Sequence, residues 1–141
     1  MSTHIPAELR RQVRRDAGER CGYCLSSERL LGIALEVEHI VPESAGGETQ
    51  RDNLWLACRR CNSFKADRWS VTDPLSHETV PLFEPRHDVW ADHFRWSADG
   101  TRIVGLTARG RATVEALRLN HPLIVMTRDL WVRVGAHPPK P

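Results

Sequence analysis

The chain has 141 residues and carries 20 Lys and Arg against 18 Asp and Glu, a net charge of +2. That length suits one domain, or one small module with an appended piece, and leaves no room for a second large core. An apolar share of 40% beside 27% charged residues excludes a disordered chain, and the longest apolar stretches, Leu30–Leu35 and Leu123–Met126, are too short to span a bilayer.

Residues 5–17 read as an amphipathic helix, with Ile5, Leu9, Val13 and Ala17 on one face, Pro6 in the first turn and Gly18 as the stop. Cys21-Gly22-Tyr23-Cys24 follows as a tight turn bearing two thiols. The pattern over 33–41 predicts a strand closed by Pro42, and Ser44-Ala45-Gly46-Gly47 predicts a loop. Asn53–Ala57 is a second extended segment that runs into Cys58-Arg59-Arg60-Cys61, and a helix is predicted over Asn62–Trp69. The prolines at 74, 81 and 85 make 71–89 read as an extended, wrapping connection. Phe94-Arg95-Trp96 and Ile103–Leu106 predict a hairpin with Asp99-Gly100 at its turn. Thr107 is placed to cap a helix over Ala108–Leu119. Leu123, Met126, Leu130 and Val134 recur at helical spacing over 123–134, although the β-branched Ile124, Val125 and Val132 interrupt the pattern.

Other side chains take plainer readings. Trp90, Phe94 and Trp96 are expected to fill a core rather than stack on bases, and His77, His87 and His93 to serve surface or structural roles. Arg109, Arg111 and Arg118 are candidates to extend a basic surface. Only Lys65 and Lys140 among the basic residues are lysines, a bias that suits phosphate oxygens but is better explained by codon usage, so bulk charge decides nothing. The N-terminus, Met1-Ser2-Thr3-His4, lacks the apolar core of a secretory signal, so a reducing cytoplasm is the expected location.

Two Cys-x-x-Cys pairs, Cys21/Cys24 and Cys58/Cys61, stand 33 residues apart. Thiolates spaced by two turn onto one ion, and two such knuckles complete a tetrahedral four-sulfur site. Disulfides suit an exported chain, and a redox dithiol needs no second copy, so a structural Zn2+ is expected. Closed off by four sulfurs, the ion holds structure and leaves the chemistry to other residues.

Between the pairs lie Glu38-His39-Ile40-Val41-Pro42, Gly46-Gly47 and Asn53-Leu54, and Cys61-Asn62-Ser63-Phe64-Lys65 follows the second pair. In this order, inside a four-cysteine frame, they resemble the HNH endonucleases, the ββα-metal or His-Me finger group, over roughly residues 18–68. The resemblance implies that His39 is the general base, that Glu38 binds the catalytic metal and that Asn53 orients the histidine from the facing strand. Asn62 stands where a second histidine is often found, giving the His-Asn-Asn variant. A carboxylate and an amide oxygen are hard ligands, which implies Mg2+ or Mn2+. Adjacent strand residues point to opposite faces, so the strand must end or bulge for Glu38 and His39 to share one phosphate. Lys65, Arg59, Arg60 and Arg68 are candidate phosphate contacts.

The expected fold is α+β, a small zinc-stapled ββα-metal core with an N-terminal helix and a C-terminal hairpin-plus-helix extension. Residues 1–70 would form the nuclease core and 71–141 an extension packed on it. The expected function is hydrolysis of DNA phosphodiester bonds, most simply double-stranded DNA, by His39 and a single divalent metal. The alternative is a non-catalytic nucleic-acid-binding zinc module. With no evident recognition domain, specificity must come from the extension, a homodimer or a partner protein.

Overall fold

A computed structural model describes residues 4–140. The fold is α+β, with short antiparallel strand pairs among helices, and the chain divides into two compact units. The first runs up to Trp69 and takes in Glu84–Asp88; the second comprises Ser70–Phe83 and the chain from Val89 on. No helix among the described residues is long and apolar enough to cross a membrane.

In the first unit, helix α1 (Ala7–Ala17) buries Val13 fully and is stopped by Gly18 in the left-handed conformation, as the periodicity predicts. A one-turn helix α2 (Glu28–Leu31), capped by Ser27, precedes strand β1 (Glu36–His39). Strand β2 (Leu54–Ala57) pairs antiparallel with β1 in the register Glu36↔Ala57, Glu38↔Trp55, His39↔Leu54. Helix α3 (Arg59–Lys65) then packs on both strands. It begins three residues before the predicted start because the Cys58 sulfur caps it, and ends early because Ala66 turns to φ 50°. Strand β1 is shorter than the span 33–41, since Gly32 terminates α2 and the chain leaves the ladder after His39.

Asp16 ties the last turn of α1 to two other segments. Its carboxylate accepts from Arg51 Nη2 at 2.7 Å and from Arg86 Nη2 at 2.9 Å. Arg86 also donates to the Leu54 carbonyl at 3.0 Å and lies 4.8 Å over the Trp55 ring. Arg51, then Arg86, holds the Asp16 carboxyl down to about 2. A carboxyl lowered in the folded state adds stability above its unfolded value near 4 and loses it as the pH falls towards 2. Asp16→Asn is therefore expected to cost about 1–2 kcal/mol, reduced by solvent at the half-exposed Arg51. The deficit, read from denaturant melts, should be level from pH 8 to 5.5 and shrink only below about 4.

The second unit corrects the reading of 71–89 as an extended connection. Strands β3 (Ser70–Thr72) and β4 (Thr79–Pro81) form a hairpin there. Its turn is built on Asp73, fully buried, which accepts from Leu75 N, Ser76 N and Ser76 Oγ and from Arg111 at 3.0 and 2.9 Å. Arg111 is thus a partner of Asp73 rather than part of a basic surface. Helix α4 (Trp90–His93) leads into the hairpin of β5 (Phe94–Trp96) and β6 (Ile103–Gly105), with Gly100 at φ 76° in its turn. Phe94 is buried, His93 bonds Thr107 Oγ1 at 2.7 Å, and His77 and His87 are exposed.

Helix α5 (Ala108–Ala116) is capped by the Thr107 hydroxyl as predicted, and helix α6 (Pro122–Arg133) follows. The orientation of α6 is the opposite of what its apolar spacing invites. Ile124, Arg128 and Trp131 face inward, while Leu123, Met126, Leu130 and Val134 are 63–78% exposed. Arg128 is turned inward because it satisfies backbone carbonyls: it donates to Thr101 O at 2.9 Å and Leu119 O at 2.7 Å, with the Trp96 ring 5.3 Å away.

Candidate active site and metal centre

The first knuckle is a tight turn in which Leu25 N donates to the Cys21 carbonyl at 3.0 Å and Gly22 N to the Leu56 carbonyl at 2.9 Å, fastening it to β2. The second knuckle begins α3, where Cys61 N donates to Cys58 Sγ at 3.4 Å. All four cysteines are buried, and their sulfurs lie within 4.8 Å of one another, with Cys24 Sγ 3.8 Å from Cys58 Sγ. A tetrahedron with metal–sulfur bonds of about 2.3 Å has edges of about 3.8 Å, so this donor set fits zinc in size and softness. Burial pushes the Cys21 thiol well up, while its neighbours' thiols hold Cys24 well down. Four thiols so enclosed cannot all ionise without a cation among them.

Beside this centre, β1, the loop after it and α3 enclose a cleft of about 300 Å³ lined by Glu38, His39, Glu43, Asn62 and Asp67. Glu38 and His39 are consecutive residues of the β1–β2 ladder, paired with Trp55 and Leu54, and both contribute to the lining of this cleft. The imidazole is 14% exposed; its Nε2 lies 2.9 Å from Thr49 Oγ1 and 3.4 Å from Glu43 Oε1. Asn62, on α3, donates from Nδ2 to Glu36 Oε1 at 3.0 Å.

Asn53 acts on the loop and not on the ring. Its Oδ1 accepts from Val41 N at 2.9 Å, and its Nδ2 donates to the carbonyls of Val41 at 3.1 Å and Glu48 at 2.9 Å. Contacts to the imidazole come from Thr49 and Glu43. The same loop explains the second glycine of the pair. A Cβ on Gly47 would stand 1.8 Å from the Val41 carbonyl oxygen and 2.9 Å from Asn53 Nδ2. Gly47→Ala is expected to displace the loop, cost about 1–3 kcal/mol in thermal melts and loosen the His39–Thr49 contact, a change that NMR of the imidazole would read.

Glu38 is 4% exposed, and both its oxygens face donors. Tyr23, inside the first knuckle, donates its hydroxyl to Oε1, and Lys65 Nζ stands 3.2 Å from Oε2. Oε2 is buried and carries no hydrogen bond beyond this ion pair. Burial raises the Glu38 carboxyl, and Lys65 and Tyr23 oppose the rise. Lys65 is itself 2% exposed and donates to the His39 carbonyl at 3.0 Å. It therefore does not present its ammonium to a phosphate, which corrects its reading as a nucleic-acid contact. Arg59 and Arg68 are exposed and Arg60 is half-buried.

A buried carboxylate oxygen and an amide side chain on one cleft are hard donors that fit Mg2+ or Mn2+ in kind. Tyr23, Thr49, Glu43 and Glu36 are the site residues that sequence reasoning missed. Glu36 had a legible signal, since strand residues two apart share a face. The others reach the site through tertiary folding alone.

No curated protein and no solved structure matches the chain. Residues 21–68 match the family model described as HNH endonuclease, and this matched segment holds both the cleft and the four cysteines placed to hold a metal ion such as zinc.

Proposed function

We propose that the chain is a metal-dependent endonuclease that hydrolyses DNA phosphodiester bonds, with residues 1–70 together with Glu84–Asp88 as its nuclease core and a structural Zn2+ in the four-cysteine centre. The observation that carries this reading is the shared cleft of Glu38, His39 and Asn62 within the segment that matches the HNH family model. A binding-only module needs no base beside a metal ligand.

His39 is the general base. With Nε2 engaged by Thr49, Nδ1 is the nitrogen available to take the proton of the attacking water. Thr49 and Glu43 fix the ring, and Asn53 fixes the loop that carries both. Glu38 and Asn62 would hold the divalent ion, which supplies positive charge for the oxygen charge that develops at the phosphorus. Arg59, Arg60 and Arg68 would meet phosphates of the duplex along α3 and just past its end.

Supercoiled plasmid tests the reading. Conversion to nicked or linear DNA in Mg2+ or Mn2+, abolished by EDTA, is the expected result. Salt-dependent binding with no cleavage under either ion would move the chain to the class of nucleic-acid-binding zinc modules.

A further inference from the structure

Lys65 is the one candidate phosphate contact that the fold withdraws from the surface. Its ammonium is buried among Glu38 Oε2 at 3.2 Å and the His39 carbonyl at 3.0 Å. Those two partners are the adjacent residues that the proposed chemistry needs together. Tyr23 holds the other oxygen of Glu38, so the carboxylate is fixed from two sides and cannot swing out to meet an ion elsewhere.

The placement along α3 adds a second point. Cys58 caps the helix and Cys61 lies in its first turn, so the metal centre fixes one end. Lys65 is the last residue of the same helix, one turn beyond Cys61, and fixes the other end to β1. A helix of seven residues thereby spans from the sulfur cluster to the cleft.

From this arrangement we infer that Lys65 is a positioning residue of the cleft, whose ammonium balances Glu38 in the resting protein and shares Oε2 with any divalent cation that binds there. The inference rests on the endonuclease reading and adds a charge relation to it. A cation arriving at Oε2 meets a positive charge already at ion-pair distance. Its affinity is lower than the carboxylate alone would give, while Glu38 and His39 are kept in place in its absence. A lysine that only filled space would have no such effect on ion binding.

The test uses full-length, zinc-loaded protein at pH 8, with Mn2+ as the probe. Lys65→Met keeps the chain length and removes the charge, leaving Glu38 buried without its partner. Lys65→Met is expected to melt below wild type without Mn2+, and Mn2+ should raise its Tm by more than it raises that of wild type. Glu38→Gln should abolish the Mn2+ shift in either background. Free Mn2+ measured by electron paramagnetic resonance should show binding at least about fivefold tighter in Lys65→Gln than in wild type. The glutamine variant, which retains an amide donor, also serves if the methionine variant does not fold. An equal or smaller Mn2+ response in both Lys65 variants than in wild type overturns the inference while leaving the endonuclease reading intact. If wild type binds no Mn2+ and cuts no DNA, both fall together.

Discussion

His39→Ala is expected to lower the rate of plasmid nicking by about 10²–10⁴-fold, the range spanned by removal of a positioned general base. The side chain is not a core element: it is half-buried at the strand end, and its ring contacts are Thr49 and Glu43 on the loop. Folding should therefore survive the change, with zinc content and melting close to wild type. The pair of measurements matters more than either alone. A lost rate in an unaltered fold assigns His39 to the chemistry, whereas equal nicking by variant and wild type would mean that another group activates the water. Thr49→Val offers a graded companion. It keeps the volume, removes the oxygen 2.9 Å from Nε2 and should reduce the rate by a smaller factor, since the ring loses its orientation and not its nitrogen.

Cys58→Ser is expected to have the largest effect on stability. Apparent binding free energies of structural zinc in small modules are about 10–16 kcal/mol, as much as or more than the whole folding stability of a typical domain. Cys58 supplies a sulfur and also caps α3, so its loss removes a ligand and weakens the start of the helix together. The first unit should then lose its cooperative melt. Amide exchange makes the prediction local. Protection should vanish in the β1–β2 ladder, Glu36 to His39 against Leu54 to Ala57, and persist in β5–β6, whose core is Phe94, Ile103 and the Arg128 carbonyl network. A variant that holds no zinc yet keeps full protection in β1–β2 would show that apolar packing suffices and that the sulfurs are incidental to folding.

The parts of this molecule legible in sequence are those whose signals are local. The sulfur cluster follows from spacing within two short turns, the Thr107 cap from one hydroxyl beside a helix, and the β5–β6 hairpin from Asp99-Gly100. What escaped depends on partners distant in the chain. The β3–β4 hairpin has three-residue strands with little apolar pattern, and its turn is organised by Asp73 accepting from Arg111 on α5. Lys65 reads as a surface charge on a helix until Glu38 is seen beside it. Helix α6 shows the limit most plainly. Its best apolar periodicity lies on the exposed side, because the hydrogen-bonding demand of the Thr101 and Leu119 carbonyls recruits an arginine to the core. Period alone reports that a face exists, and the buried polar groups decide which face turns inward.

The return of Glu84–Asp88 to the first unit bears on where this molecule can be divided. Pro85 lies against Gly22 of the first knuckle, and Arg86 reaches Asp16, Leu54 and Trp55. Five residues carried in the later half of the sequence are thus part of the scaffold around the sulfur cluster. A fragment ending near residue 70 would retain every ligand and every cleft residue and still lack one wall of its own support. For any design that grafts this zinc-and-cleft unit onto another protein, the transferable unit is discontinuous, and the intervening hairpin has to be shortened to a linker, not cut away.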